Sequence, residues 1–124
     1  MLQTGTILTI ADNTGAKKGK LIGIPLKGNK RYARIGEIIT ISVKDALPHN
    51  EIKKGDIAHA VVIRTKKEYR RPDGSYIRFD DNACVILQSK TIREPKGTRI
   101  FGPVCKEIKD LGFNKIASLA EELY

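Results

Sequence analysis

The sequence predicts a mainly β fold, an all-β barrel or sandwich that ends in short α-helices. Short β-branched segments alternate with turn residues at intervals of roughly 8–12 positions, which is typical of such folds. Charge divides the chain as well: residues 1–102 hold 20 Lys and Arg and 10 acids, whereas residues 103–124 hold 3 and 4. We therefore expect one domain, with a basic β portion over 1–102 and a C-terminal helical segment over 103–124.

The first four strands are expected before residue 64. Residues 7–10 and 21–26 are short apolar segments separated by a turn-rich loop. Residues 37–44 alternate, with Ile39, Ile41 and Val43 on one face, as in a half-buried strand. A tight turn at 53–56 then leads into an apolar, largely β-branched strand over 57–63.

A hairpin with a charged tip follows. We expect its strands at 60–63 and 76–79, joined through a Pro-Asp-Gly turn at 72–74, and a last strand over 83–87. Between residues 64 and 78 there are six Lys or Arg and two acids, and cations at this density repel one another unless a polyanion neutralises them. The sequence thus predicts a phosphate-binding hairpin with Arg70 and Arg71 on an exposed tip.

The C-terminal segment has helical periodicity. Pro103 stands where a helix could begin, and apolar residues at 104, 108 and 111 fall on one helical face. Asn114 can cap a second helix, in which apolar residues recur at 116, 119, 120 and 123. We expect these helices to pack on the barrel or on another protein.

The net charge of +9 and the pI near 9.7 predict an anionic partner. Nucleic acid is the first expectation and an acidic membrane the second. The basic residues lie in loops rather than on an amphipathic helix, and no apolar run approaches the roughly 20 residues that span a bilayer. Without a signal-peptide pattern at the N-terminus, the sequence favours the cytoplasm, although a processed organellar protein would look the same.

Enzymatic motifs are absent from the sequence. Residues 15–20 differ from a phosphate-binding loop, because three residues rather than four separate the glycines and Leu21 replaces the Ser or Thr. His49 and His59 have no ligand partner at metal-binding spacing, and we expect His49 in solvent and His59 facing out from the sheet. The adjacent acids at 80 and 81 are typical of a turn. We predict no enzymatic activity, no cofactor and no metal site.

Cys84 and Cys105 lie in apolar surroundings and have no metal-ligand spacing. They are expected to be buried, reduced thiols that behave as small hydrophobic residues.

Five basic clusters occur at or near predicted turns, at 17–20, 27–34, 53–54, 64–78 and 96–99. One such cluster is often a solvated surface, but five in a small barrel favour a shared polyanion-binding surface. Tyr32, Tyr69 and Tyr76 could stack on bases or sugars, although Tyr76 could instead belong to the barrel wall. The pattern favours recognition of RNA shape and phosphates; a free-standing OB-like module for single strands and a barrel that binds an acidic protein are the alternatives.

Several motifs in a fixed order carry a family resemblance. The motifs of one family are found at residues 11–17, 61–67 and 97–104. The same family shows a spaced pattern that here runs from 60–63 through Asp73-Gly74 to Phe79, Asn82 and 85–86. Over essentially all 124 residues the chain resembles the family of the universal large-subunit ribosomal protein fourteen, of bacterial or organellar type. With the strand pattern, this predicts a small closed β-barrel, five-stranded and OB/SH3-like, with a basic hairpin and short C-terminal α-helices. The loop at 88–95 and Glu121 depart from the family pattern.

The resemblance implies a structural constituent of the large ribosomal subunit in the cytoplasm or in an organelle. Its expected partners are large-subunit rRNA, small-subunit rRNA at an intersubunit bridge, a neighbouring large-subunit protein and a ribosome-silencing factor. The candidate RNA-binding residues are Lys17, Lys30, Arg31, Lys44, Lys53, Lys54, Arg64, Lys66, Lys67, Arg70, Arg71 and Arg78. The candidate protein-partner surface comprises Thr98, Arg99 and Lys115.

Overall fold

A computed structural model describes residues 2–25 and 32–124. The larger strands are β1 (Ile7–Ile10), β2 (Ala16–Gly23), β3 (Ile38–Ala46), β4 (Ile57–Arg64), β7 (Ala83–Ser89) and β8 (Ile92–Pro95). The two-residue strands are β5 (Tyr69–Arg70), β6 (Tyr76–Ile77), β9 (Pro103–Val104) and β10 (Glu122–Leu123). The helices are α1 (Glu107–Asp110) and α2 (Asn114–Leu119).

Five strands close into a mixed β-barrel, which confirms the predicted fold class. The order β1-β2-β3-β4-β7 is antiparallel throughout, and β7 returns to β1 in a parallel pairing that sets Thr9 opposite Ala83 and Ile10 opposite Cys84. Strand β8 extends the sheet from β7. Closure leaves the barrel strands without a long free edge, which protects them from pairing with other chains.

The core is aliphatic. Leu8, Leu21, Ile39 and Ile41 are fully buried, as their alternation along the strands predicts. The largest fully buried side chain, Phe113, comes from the C-terminal segment. Each such side chain contributes roughly 1.5–3 kcal/mol on burial, so the segment stabilises the barrel.

Strand β4 is buried on both faces toward its C-terminal end. Residues 60–63 are fully buried, because one face points into the barrel and the C-terminal segment covers the other. The Cys105 N–H donates to the Ile63 carbonyl oxygen at 3.3 Å and fixes that segment against the strand. Burial on both faces explains why this stretch is continuously apolar instead of alternating.

The hairpin differs from the prediction. Residues 60–63 pair with β7, with Ala60 opposite Ile86, rather than with 76–79. The apolar side chains of 60–63 are buried where this strand lies in the barrel, whereas the charged residues that follow cannot be buried there. The hairpin is therefore a separate two-stranded sheet, β5–β6, with Tyr69 opposite Ile77 and Arg70 opposite Tyr76.

Three other strand and helix boundaries also differ. The second strand begins at Ala16 rather than at 21, and residue 26 lies outside the described residues. The first helix begins at Glu107 rather than near Pro103, because 103–104 pairs as β9 with β10 in a parallel ladder. That pairing also ends the second helix before residue 123: Ala120 is already extended, with ψ 140°.

A glycine lets the helical segment approach the barrel. Gly36 has φ +87°, and a Cβ built there would lie 2.1 Å from Leu111 Cδ1. The positive φ favours glycine here, and the Leu111 side chain packs in the space that a Cβ would take. Within the described ranges, neither helix has the length or the apolar composition that crossing a bilayer requires.

Candidate RNA-binding surface

The hairpin β5–β6 has an ordered, exposed tip. Asp73 Oδ1 accepts hydrogen bonds from the Ser75 backbone N–H at 2.9 Å and from Ser75 Oγ at 2.6 Å, and these bonds hold the pKa of Asp73 below its usual value. Gly74, at φ +89°, completes the turn. Tyr76 lies outside the barrel and is 60% exposed, so it belongs to the hairpin rather than to the barrel wall.

The two adjacent arginines of the hairpin have different environments. Arg70 is exposed, whereas the Arg71 side chain is only 13% exposed. Arg71 Nε donates to Glu107 Oε1 at 2.8 Å, and Arg71 Nη2 donates to the Tyr124 backbone oxygen. The expectation that both arginines lie on an exposed tip is wrong for Arg71, because its guanidinium is turned toward α1 and the end of the chain.

Arg64 is also buried. Its Nε and Nη2 donate to Asp81 at 2.9 and 3.3 Å, and its Nη1 donates to the carbonyl oxygens of Phe101 and Pro103 at 3.0 and 2.9 Å. The side chain, 7% exposed, ties the end of β4 to the segment before β9. Burial and four hydrogen bonds give Arg64 a structural role, because its guanidinium is already occupied by protein acceptors and is not presented to RNA.

A small basic cavity adjoins the hairpin. Arg34, Lys67 and Arg70 are among the residues that line a cavity of about 270 Å³. The Arg34 guanidinium carbon lies 5.1 Å from the Tyr69 ring centroid, a cation–π contact that holds the charge in place. Arg34 is not among the sequence candidates, although it ends the basic cluster 27–34 and could have been found there.

The backbone that carries the neighbouring lysines is fixed. The Lys66 N–H donates to Asn82 Oδ1 at 2.8 Å, and Thr65 Oγ1 donates to the Lys67 carbonyl oxygen at 2.8 Å. Both lysine side chains are exposed. Their charge is thus presented from an ordered segment directly after β4.

A second basic region lies at the β2–β3 side of the barrel. Lys17 and Lys44 are exposed on these strands. Lys53 and Lys54 are exposed on the tight turn after β3, where the Lys53 N–H donates to Asp56 Oδ2 at 2.9 Å and the Gly55 N–H donates to the Val43 carbonyl oxygen at 2.8 Å.

The remaining RNA candidates are Arg78, Lys30 and Arg31. Arg78 is exposed and lines a groove of about 570 Å³ with Phe79 and Tyr124. Lys30 and Arg31 lie outside the described residues.

Most of the candidate cations lack an acidic partner. Within residues 2–25 and 32–124, the ion pairs are formed by Arg64, Arg71 and Lys96. In these ranges the exposed candidates without an ion pair are Lys17, Lys44, Lys53, Lys54, Lys66, Lys67, Arg70 and Arg78. Their positive charge faces solvent and is available to an anion.

The candidate protein-partner residues lie on separate elements. The side-chain amide of Asn13 accepts from the N–H groups of Thr98 and Arg99 at 2.9 and 3.2 Å, and it donates to Thr98 Oγ1 at 2.8 Å. This clamp fixes the loop and leaves the side chains of Thr98 and Arg99 exposed. Lys115 is exposed on α2.

Both cysteines are buried and free, as expected from their apolar neighbours. Burial raises the pKa of each thiol, so both stay protonated. His49 is exposed, and His59 is half-buried with its Nδ1 3.2 Å from Thr40 Oγ1. In the part of the chain that the structure describes, no group of three or more His, Cys, Asp or Glu side chains could hold a metal ion.

Comparison with known proteins gives one consistent result. The sequence profile of the family described as ribosomal protein L14p/L23e matches residues 1–124. The proteins described as large ribosomal subunit protein uL14 from Aquifex aeolicus (strain VF5) and Aquifex pyrophilus are each 54% identical over 123 residues, which is 99% of this chain and 99% of each relative. These matches confirm the resemblance carried by the sequence motifs. The chain belongs to the uL14 family of ribosomal proteins, a family of structural, non-enzymatic proteins of the large subunit.

Proposed function

We propose that the chain binds large-subunit rRNA through phosphate and shape contacts and holds its place in the particle as one domain. The exposed, unpaired cations of the barrel turns and the hairpin make the contacts. The barrel supplies a rigid scaffold for them, and buried residues of the barrel and the C-terminal segment form one cluster.

The observation that carries this proposal is the separation of paired from unpaired cations. Arg64 and Arg71 are neutralised by Asp81 and Glu107, while eight other candidates in the described ranges face solvent without an acid. Such a surface repels itself unless a polyanion covers it. Phosphate contacts of this kind position the protein rather than recognise a sequence.

We further propose that the hairpin contributes to an intersubunit bridge with small-subunit rRNA. Its sheet stands outside the barrel, and Arg70 and Tyr76 combine charge with an exposed ring for stacking. The proposed partner at Thr98, Arg99 and Lys115 is a ribosome-silencing factor, and a neighbouring large-subunit protein is a further proposed partner. The proposed location is the large subunit of a cytoplasmic or organellar ribosome.

Sedimentation of a lysate that contains the tagged protein through a high-salt sucrose gradient tests the central proposal. We expect the protein to migrate with the large subunit after a wash that strips loosely bound factors. Release to the top fractions would instead favour a free single-strand module or a barrel that binds acidic proteins.

An Arg70→Ala variant tests the hairpin contact. Loss of one phosphate contact should lower the salt slope of rRNA binding by about 1. Melting temperature serves as the control, because an exposed side chain contributes little to stability. An unchanged slope would remove the hairpin from the RNA surface.

A further inference from the structure

The Arg71 side chain ties the hairpin β5–β6 to the C-terminal segment. Arg71 closes the turn with its backbone, since its N–H donates to the Ser75 carbonyl oxygen at 2.8 Å and its own carbonyl oxygen accepts from the Gly74 N–H at 3.0 Å. Its guanidinium leaves the hairpin and reaches Glu107 in α1, 36 positions later in the chain. One residue therefore couples the shape of the tip to the position of the helix.

The acceptor side of this contact is enclosed. The Glu107 side chain is 12% exposed, and its Oε1 accepts both from Arg71 Nε at 2.8 Å and from the Cys105 thiol at 3.2 Å. Cys105 is fully buried, and its backbone N–H is bonded to β4. Glu107 is thus fixed relative to the barrel and can serve as an anchor for the hairpin.

We propose that Glu107 is a positioning residue for RNA binding: with Arg71 it holds the hairpin in the orientation that presents Arg70 and Tyr76 to RNA. This inference rests on the proposed RNA-binding function. Glu107 does not contact RNA itself, and Arg71 acts as a strut rather than as a phosphate ligand.

Loss of Glu107 has opposite expected effects on RNA binding through charge and through positioning of the hairpin. Removing an acid from a basic RNA-binding protein strengthens attraction to phosphates and should raise affinity slightly. If Glu107 orients the hairpin, its removal weakens binding, because a freely moving hairpin must be ordered when RNA binds. The direction of the change in RNA affinity therefore distinguishes the charge effect from the positioning effect.

The experiment compares Glu107→Ala with Asp110→Ala. Both changes remove one negative charge from α1, and Asp110 is exposed. Affinity for protein-free large-subunit rRNA is measured by filter binding across a salt series. We expect Glu107→Ala to weaken binding about threefold or more with the wild-type salt slope kept, and Asp110→Ala to bind as tightly as the wild type or more tightly.

Amide hydrogen exchange provides a readout that does not depend on RNA. The Arg71 and Gly74 amides should exchange faster in Glu107→Ala, while β4 and β7 amides keep their protection and so report an intact barrel. Equal rRNA affinity for the two variants, with the wild type binding normally, would overturn the positioning role. Absence of rRNA binding by the wild type would overturn the proposed function, and the positioning role with it.

Discussion

Arg64 is a basic residue whose surroundings give it a structural role. Its charge places it among the basic candidates, but the structure surrounds it with Asp81 and two backbone carbonyl oxygens. The planar guanidinium has five N–H donors and bonds to four acceptor atoms at once, whereas a lysine ammonium has only three donors. Its role is to close the barrel onto the C-terminal segment.

Arg64→Ala should lower the free energy of unfolding by about 2–4 kcal/mol, because Asp81 and the carbonyl groups lose their donor. Urea denaturation measures this, with Arg70→Ala as the control at about 0.5 kcal/mol or less. Equal midpoints for the two variants would contradict the structural role of Arg64.

Asp12 is a second buried ionisable residue. It is 5% exposed, its Oδ1 accepts from the Thr14 N–H and hydroxyl, and its Oδ2 accepts from the Ile86 N–H at 2.9 Å. Burial raises the pKa of Asp12, and the hydrogen bonds from Thr14 and Ile86 oppose this only in part. The carboxyl group links the end of β1 to β7.

A raised pKa means that ionisation of Asp12 costs more in the folded than in the unfolded chain. Its contribution to stability is therefore fully present below the usual pKa of 3.8 and is lost as pH rises through the folded pKa. Asp12→Asn should cost about 1–3 kcal/mol, since the amide NH₂ cannot accept from Ile86. The difference between variant and wild type should be larger below pH 3.8 than at neutral pH, measured by urea denaturation. A difference that grows with pH would contradict the shift.

At the scale of elements, the C-terminal segment belongs to the core. Its helices are short, four and six residues, and isolated helices of this length are not stable in water. Phe113 and Ile116 are fully buried, and the Arg93 guanidinium lies 4.7 Å from the Phe113 ring centroid. Packing on the barrel, rather than helix propensity, holds the segment in place.

Ile116→Ala should therefore lower the free energy of unfolding by about 2–5 kcal/mol. The neighbouring Lys115→Ala changes an exposed side chain of the same helix and should alter stability by about 0.5 kcal/mol or less. Thermal denaturation of both variants is the measurement. If Ile116→Ala melts like Lys115→Ala, the segment is not part of the cooperative fold.

Sequence patterns predicted the elements that are defined locally. The alternation in 37–44 and the apolar run of 57–63 correspond to β3 and β4 within a few residues. The partner of 60–63 could not be predicted, because the choice between 76–79 and 83–87 depends on which segment can be buried. The burial of Arg71 depends on Glu107, and periodicity does not report so distant a pair.

Over the full chain, positive charge is in excess, with a net charge of +9. Eight candidate cations of the described ranges are exposed and unpaired, and in the proposed function they contact rRNA phosphates. Neutralisation of phosphates releases counterions, so affinity depends steeply on salt.

Affinity of the isolated protein for large-subunit rRNA should fall by about 10³–10⁵ between 50 and 200 mM salt if six to ten cations contact phosphates. Filter binding over this range gives the slope. A slope near zero would mean that the exposed cations do not contact RNA. Competition with poly(U) separates charge from shape, because poly(U) offers phosphates without the folded shape of rRNA.

The β1–β7 pairing that closes the barrel also determines when the nascent chain can complete its fold. Thr9 and Ile10 pair with Ala83 and Cys84, so β1 keeps one open edge until about two thirds of the chain exists. At the usual elongation rate the first strand waits roughly 4–15 seconds for its partner. During that interval the nascent chain carries an unpaired strand edge, which is a template for association with other chains. A product truncated before residue 83 never closes, and we expect it to aggregate rather than to fold.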